Sequence, residues 1–273
     1  PPSLMSPRNL APTPRSLAVN AGDELIVLDT AGRVVVYNPG GQVVRQWHML
    51  DVSVGKPEGL TVLNDGRIIV CDTHYHRLVW FDREGHWLRN VGSKGEGRGQ
   101  FIYPVAITSD PQENLYVCEY GGHDRVQVFS REGQWLREFG SFGTGDGQFQ
   151  RPSGIVWREG LLYIADAINN RVLIYTEQGE YRGLLGMEAD GRTLDLHLPY
   201  DIALGPDHQL YIVEYGNGRI TRVTPDGRVT GRFGKTGSRR GEFATPWGLT
   251  VDATGQVFVA DTKNRRLVAL RLE

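Results

Sequence analysis

The sequence is poor in cysteine, in methionine and in net charge. Only two of its 273 residues are cysteine and three are methionine, and 30 basic residues stand against 32 acidic ones. The resulting net charge of −2 excludes a dominant electrostatic attraction to nucleic acid or to an anionic membrane. No apolar run approaches the roughly 18–20 residues that span a bilayer, so the sequence predicts no transmembrane helix.

Several catalytic signatures are also missing. The sequence has no His-Glu-x-x-His, no Cys-x-x-Cys and no Gly-x-Ser-x-Gly segment. These patterns place zinc ligands on one helix face, pair two reactive thiols, or raise a nucleophilic serine on a sharp turn. The glycine-rich segments open no predicted helix, so they do not indicate a phosphate-binding loop. The sequence therefore gives no direct support for nucleophilic or nucleotide-dependent catalysis.

Glycine and proline are abundant instead, with 35 and 14 residues, and two markers recur in step along the chain. An acidic residue follows a β-rich run and precedes an arginine at Asp29, Asp72, Glu119, Asp166, Glu214 and Asp261, with spacings of 43, 47, 47, 48 and 47. A proline opens each unit at Pro14, Pro57, Pro104, Pro152, Pro199 and Pro246, with spacings of 43, 47, 48, 47 and 47. Two markers that keep step through six copies indicate a repeat architecture.

A complete unit contains four short β-prone runs separated by turns. Leu115-Tyr116-Val117 is a typical second strand, Val126–Phe129 a third, and Arg131-Glu132-Gly133 a tight turn that leads to a fourth. A single such sheet is apolar on both faces, and stacking six of them around an axis buries all these faces. We therefore predict an all-β, six-bladed β-propeller of four-stranded antiparallel blades. It is one domain over 1–273, with repeats at about 14–56, 57–103, 104–151, 152–198, 199–245 and 246–273.

The repeats resemble those of NHL-repeat proteins. Two motifs carry the resemblance: the linker Gly140-Ser141-Phe142-Gly143 with Gln148-Phe149 and Pro152, and the segment Ala165-Asp166 followed by Asn169-Asn170-Arg171. Both recur elsewhere in the chain. The resemblance implies the propeller fold and says little about function, because propellers host many activities. NHL-like propellers resemble peptidyl-hydroxyglycine lyase domains and, more distantly, propeller lactonases. The NHL domains of animal tripartite-motif proteins bind RNA.

The two ends of the sequence raise the question of ring closure. The sixth repeat ends at Glu273 after its third strand, so we expect the last blade to be incomplete or to be closed by the N-terminus. The sequence begins at Pro1 without methionine. We therefore expect that a signal peptide, lipid anchor or other upstream segment precedes it, and we favour an extracytoplasmic location. We expect a monomer or a part of a larger assembly.

Cys71 and Cys118 occupy equivalent second-strand positions in neighbouring repeats. Blade sheets pack about 10 Å apart, whereas disulfide Cα atoms lie within about 7 Å. We therefore predict two buried free thiols.

In this topology the loop before each first strand and the loop between second and third strands lie on one face, here called the top face. The acid–arginine pairs ring this face in every repeat, so we interpret the acids Asp29, Asp72, Glu119, Asp166, Glu214 and Asp261 as structural. Function is expected where repeats differ. The residue after each proline should stand at the mouth of the axial channel: Arg15, Glu58, Val105, Ser153, Tyr200 and Trp247. Asp201 occupies a slot that is glycine in three other repeats.

These varied side chains predict a pocket at the channel mouth formed by Arg15, Glu58, Ser153, Tyr200, Asp201 and Trp247, flanked by the top loops that carry His74, His76, Tyr120, His123 and Tyr215. The leading hypothesis is a non-catalytic binding or scaffold propeller that presents this surface to a protein, peptide or glycan. No cofactor is expected under it.

Two alternatives stay open. The first is a metal-dependent lyase or lactonase-like hydrolase whose zinc or calcium would be held by residues among His74, His76, His123, Glu58 and Asp201. The second is RNA binding through a basic cluster at Lys235, Arg239, Arg240 and Lys263–Arg266, which Glu242 and Asp261 dilute.

Overall fold

The computed structural model describes residues 13–188, 191 and 193–272, which form six antiparallel sheets with almost no helix. Five sheets have four strands in sequential order, and the described part of the sixth has three. The six-bladed propeller is therefore confirmed. The predicted closure by the N-terminus falls on residues 1–12, and the end of the sixth repeat falls on Glu273, both outside the described residues. No described helix is long and apolar enough to cross a membrane.

The strands of the six blades follow one another along the chain. Blade one contains β1 (Pro14–Val19), β2 (Leu25–Asp29), β3 (Arg33–Tyr37) and β4 (Val43–His48). Blade two contains β5 (Gly59–Val62), β6 (Ile68–Asp72), β7 (Arg77–Phe81) and β8 (Trp87–Val91), with a 3-10 turn over Thr73–Tyr75. Blade three contains β9 (Tyr103–Ser109), β10 (Leu115–Tyr120), β11 (Arg125–Phe129) and β12 (Trp135–Phe139).

The second half of the chain repeats this pattern with two short extra ribbons. β13 (Ser141–Phe142) and β14 (Gln148–Phe149) precede blade four, which contains β15 (Pro152–Arg158), β16 (Leu161–Asp166), β17 (Arg171–Thr176) and β18 (Tyr181–Leu184). Blade five contains β19 (Pro199–Leu204), β20 (Leu210–Glu214), β21 (Arg219–Val223) and β22 (Val229–Phe233). After β23 (Lys235–Thr236) and β24 (Glu242–Phe243), blade six contains β25 (Leu249–Val251), β26 (Gln256–Asp261) and β27 (Arg266–Arg271).

The apolar core is divided among the junctions between blades. Each of six buried clusters in the described chain joins two neighbouring blades, and one of them joins blade six to blade one through Ala260, Leu267, Leu17 and Val27. Burying one aliphatic side chain contributes about 1.5–3 kcal/mol, so every blade is held by the two beside it. Cys71 and Cys118 lie inside these clusters as buried free thiols.

The glycine-rich linkers between repeats have a regular structure that their sequence did not predict. They fold into parallel two-stranded ribbons, in which Ser141 pairs with Gln148 and Lys235 pairs with Glu242. The side chain of Gln148 accepts the backbone N–H of Gly145 at 3.0 Å, and the neighbouring Phe149 is fully buried. The linker therefore anchors an aromatic side chain between two blades.

The first strands pack closely around the axis, and glycine alternates with larger residues at one position of these strands. Blades two, four and six carry Gly59, Gly154 and Gly248 at one shared position. A Cβ added to these glycines would lie 2.3 Å from Val105 O, 2.6 Å from Asp201 Cα and 2.4 Å from Arg15 O, respectively. Blades one, three and five carry Ser16, Ala106 and Asp201 at that position. Glycine thus permits backbone contact at every second junction.

Two of the remaining junctions use side chains instead. Ser16 Oγ accepts the backbone N–H of Leu60 at 3.2 Å, and Asp201 Oδ2 accepts the backbone N–H of Leu249 at 3.0 Å. These bonds tie blade one to blade two and blade five to blade six. At the junction of blades three and four, Ala106 has no side-chain acceptor to offer.

Candidate binding site at the channel mouth

Beta-bulges direct the residues after the repeat prolines toward the channel mouth. In four blades the pairing of the first strand skips one residue, and the skipped residues are Arg15, Val105, Ser153 and Tyr200. A bulge bends its strand and re-aims the extra side chain. A cavity of about 320 Å³ runs down the axis, and its lining includes all six predicted mouth residues: Arg15, Glu58, Ser153, Tyr200, Asp201 and Trp247.

A carboxylate shared by two guanidinium groups lies in the mouth. Arg15 Nη2 donates to Glu58 Oε1 at 2.7 Å, and Arg151 Nη2 lies 3.4 Å from Glu58 Oε2. The Glu58 side chain is only 4% exposed, against 13% for Arg15 and 20% for Arg151. Burial lowers the pKa of Arg15, an effect that Glu58 opposes. The three groups come from three different repeats, so they are assembled only by the closed ring.

Aromatic rings surround these charged groups. The guanidinium of Arg15 lies 3.7 Å from the centre of the Trp247 ring, and that of Arg151 lies 4.4 Å from the Tyr120 ring. Tyr200 stacks on Tyr215 with a centroid distance of 4.6 Å and meets Trp247 edge-on at 4.7 Å. These aromatic side chains are half-buried, so part of each ring remains open to a ligand.

Arg151 was missed by the sequence analysis, which considered only the residue after each proline. It precedes Pro152 and has a φ of 63°, a left-handed conformation that is unfavourable for a residue with a side chain. Asp124 holds it there, because Asp124 Oδ2 accepts the backbone N–H of Arg151 at 2.6 Å. The other oxygen of Asp124 accepts the N–H groups of Gly121 and Gly122. An arginine in a slot where the other repeats have Thr13, Lys56, Tyr103, Leu198 and Thr245 was the available signal.

Asp201 forms part of the channel wall below the mouth. Its carboxylate accepts backbone N–H groups from Leu249 at 3.0 Å and from Ile202 at 2.9 Å. Burial raises the pKa of Asp201 to about 7, although both hydrogen bonds favour the charged form. A carboxyl group that changes charge near neutral pH therefore joins blades five and six.

The top-loop residues divide into two groups. Tyr120 and Tyr215 belong to the aromatic surface around the arginines. The three histidines do not: His74 Nδ1 lies 3.2 Å from the backbone N of Lys56, His76 Nδ1 contacts the carbonyl oxygen of Ile102, and His123 Nδ1 lies 3.9 Å from Glu96. The His74 and His76 rings also contact Tyr103, beside the mouth rather than within it.

The candidate metal ligands are therefore not assembled into one site. In the described part of the chain, no three His, Cys, Asp or Glu side chains are grouped so that they could hold a metal ion. Glu58 is bound to two arginines, and a guanidinium competes directly with a cation for the same carboxylate. The set His74, His76, His123, Glu58 and Asp201 does not fit zinc or calcium.

The six repeated acids are fully buried beneath the top face. Each binds the Nε of the arginine that follows it, with distances from 2.5 to 3.0 Å. The second oxygen of Glu119, Asp166, Glu214 and Asp261 accepts a backbone N–H from the loop that enters the same blade. Asp29 uses its second oxygen on the backbone N–H groups of Ala31 and Arg33, and the Oδ1 of Asp72 is buried with no partner among the described residues.

The comparisons with known proteins agree with this architecture. The family model described as NHL repeat matches residues 55–81 and 243–270. The chain carries NHL repeats. A segment of 59 residues is 32% identical to the RING finger protein nhl-1 of Caenorhabditis elegans and covers 22% of this chain. A segment of 105 residues is 29% identical to Protein brain tumor of Drosophila melanogaster and covers 34% of this chain.

This NHL-repeat chain spans only 6% and 10% of the length of those two relatives. Among solved structures, a gluconolactonase of Xanthomonas campestris has a TM-score of 0.75 at 16% identity, over 100% of this chain and 90% of that one. A streptogramin B lyase has a TM-score of 0.71 at 15% identity, over 100% and 98%. At these identities the likeness shows the propeller fold alone.

Proposed function

We propose that this NHL-repeat propeller is a binding platform that receives part of a protein or peptide partner at the mouth of its channel. The observation that carries the proposal is the cluster of Arg15, Tyr200, Tyr215 and Trp247, in which each ring or guanidinium packs on another. Tryptophan, tyrosine and arginine are the residues that contribute most to protein interfaces.

The scaffold beneath the cluster supports this function. Tyr200 lies on a bulged first strand, and Trp247 donates its backbone N–H to Ala260 O in the next strand at 3.0 Å. Side chains that are already packed lose little conformational freedom on binding, which favours affinity. The cavity is narrow, so a macromolecular partner would insert one side chain or one chain end and spread over the top loops.

The two alternatives have weaker support. The candidate metal ligands of a lyase or lactonase are dispersed, and Glu58 is held by arginines. The basic cluster that favoured RNA is partly neutralised, because Lys235 lies 3.6 Å from Glu242 and Arg266 binds Asp261 at 2.7 Å.

Peptide display on the immobilised chain tests the proposal. Random dodecapeptides would be selected on the wild-type protein and their affinities measured against Tyr215→Ala and Trp247→Ala. The matched control is Trp87→Ala, which removes a 51% exposed indole from the outer strand β8. We expect at least about a tenfold loss for the two mouth variants and no change for the control. Selected peptides that bind all four proteins equally would refute a binding site at the mouth.

A further inference from the structure

At the mouth, two arginines pair with one and the same carboxylate. Arg15 and Arg151 share the single carboxylate of Glu58. The other nearby carboxylate, Asp124, uses its oxygens on three backbone N–H groups. We infer that the mouth recognises a carboxylate group of an acidic peptide, through the Arg15–Arg151 pair. The inference rests on the proposed function and specifies its ligand.

Unused donors remain on both guanidinium groups. A guanidinium carries five N–H donors, and the Nε of Arg15 and that of Arg151 are buried with no partner among the described residues. A buried donor without an acceptor costs about 1–3 kcal/mol. A ligand oxygen that reached these donors would remove this cost.

The geometry of the pair selects an acceptor that approaches in the guanidinium plane. The face of Arg15 is covered by Trp247 and that of Arg151 by Tyr120, so an acceptor would have to approach both groups in their planes. Edge-on pairing with two parallel N–H···O bonds is the preferred geometry of arginine with carboxylate. The stacked rings also fix the orientation of the two planes before a ligand arrives.

The charge balance favours a single negative charge. Glu58 and the nearby Asp124 already offset the charge of the two arginines, so a monoanion meets less repulsion at the mouth than a dianion does. A phosphate group carries nearly two negative charges at neutral pH and would be repelled by the adjacent Glu58. Glu58 itself shows that a carboxylate fits between the two cations. A partner could supply the group from an aspartate, a glutamate or its C-terminus.

A heptapeptide library in four arms separates these sources. The first arm has a free C-terminus and no acidic residue, the second is amidated with one glutamate, the third is amidated with glutamine in that place, and the fourth is amidated with phosphoserine. Retention by the immobilised full chain is measured for wild type, Arg15→Gln, Arg151→Gln and Arg151→Lys. The control is Arg67→Gln, since Arg67 pairs with Asp65 and Glu132 away from the mouth.

We expect one or both carboxylate arms to bind wild type and the control at least about tenfold more tightly than the glutamine arm. Arg15→Gln and Arg151→Gln should each remove the preference for a carboxylate over glutamine. Arg151→Lys should restore little of this preference, because lysine cannot form the two parallel hydrogen bonds that arginine donates to a carboxylate. Peptides that bind equally in the first three arms, or best with phosphoserine, would overturn the carboxylate inference while the proposed function survived. No binding in any arm would count against both.

A variant of Glu58 provides a second test that does not depend on losing an arginine. Glu58→Gln keeps the shape of the side chain and removes the internal carboxylate that competes for the pair. We expect several-fold tighter binding of the glutamate arm and a steeper loss of binding with added salt. Equal or weaker binding by a folded Glu58→Gln protein would contradict the role of Glu58 as the internal occupant of this site.

Discussion

The carboxylate of Asp124 in blade three accepts the backbone N–H of Arg151 at the entry to blade four, at 2.6 Å. This bond fixes a residue in the left-handed region directly before a proline. Asp124 is almost completely buried, and burial raises its pKa. The backbone of a mouth arginine is therefore held by a side chain that lies beneath the surface.

Asp124→Ala should weaken peptide binding only by changing the position of Arg151. Without its acceptor, Arg151 can relax toward the extended conformation that residues before proline prefer, and its guanidinium would move away from Glu58. We expect at least about a fivefold loss of affinity for wild-type-selected peptides, measured by fluorescence anisotropy. Asp124→Asn keeps an acceptor oxygen and should retain most of the binding. Equal loss in both variants would contradict a positioning role.

Asp201→Asn should change how stability depends on pH. With a pKa near 7 in the folded chain and about 3.9 unfolded, the native state holds an extra proton between pH 4 and 7. The wild-type free energy of unfolding therefore falls as pH rises through this interval, and asparagine removes that fall. Relative to wild type, the variant should gain about 1–3 kcal/mol from pH 4 to 8, measured by urea denaturation.

The exposed turn residue Asp226 provides the control for this experiment. A hydrogen bond from Thr224 lowers its pKa, so Asp226→Asn should shift the pH dependence in the opposite direction, if at all. A wild-type curve that matches Asp201→Asn at every pH would refute the raised pKa.

Gly154→Ala should destabilise the ring. The added methyl group would lie 2.6 Å from Asp201 Cα in the next blade, and a backbone atom cannot move aside without shifting the whole strand. We expect a loss of about 2–4 kcal/mol in the free energy of unfolding. Gly22→Ala is the matched control, because its nearest neighbour would be Asn20 Oδ1 at 3.4 Å. Similar stability of the two variants would exclude close packing at this junction.

The repeated acids should differ in their contributions to stability. Asp166 accepts hydrogen bonds from Gln150, Asn169 and Arg171, whereas Asp72 bonds only to Arg77 and leaves Oδ1 without a partner. Asp166→Asn should therefore cost about 1–3 kcal/mol more than Asp72→Asn. Thermal denaturation of the two variants at pH 7 provides the comparison, and an equal or reversed order would be contrary to the observed hydrogen bonding.

The two thiols should be inert in the native chain. Cys71 and Cys118 are fully buried, and burial raises the pKa of both, so almost no thiolate forms at neutral pH. A thiol reagent should label neither residue in the folded protein and both in 6 M guanidinium chloride. Labelling of the folded chain within minutes would show that a blade junction opens.

The fold could be predicted from the sequence because every repeat carries the same two markers. The step from Asp166 to Arg171 and the proline at Pro152 recur in each unit, and repetition turns weak local signals into a strong one. The residues at the channel mouth were also predictable, since the residue after each repeat proline occupies the same position in every blade. The pairing of Arg15 with Glu58 was not, because it joins different repeats and no spacing encodes it.

Arg151 shows why part of the site was missed. Its backbone has a positive φ, as do Leu198 and Thr245 before the prolines of blades five and six, and the local sequence does not predict that conformation before a proline. The linker ribbons were overlooked for a related reason. A parallel ribbon with two residues in each strand, such as the one that pairs Ser141 with Gln148, is too short to produce a periodic pattern.

Glycine alternates with larger residues around the axis, so the six junctions between blades fall into two sets of three. At Gly59, Gly154 and Gly248 the backbones of neighbouring blades are in contact, so the blades cannot pack more closely at these three junctions. Two of the other three junctions have a side-chain link between first strands, at Ser16 and Asp201. The junction of blades three and four is linked instead by Asp124, which accepts the backbone N–H of Arg151. A channel that widened between blades three and four would therefore have to break the bond that orients Arg151.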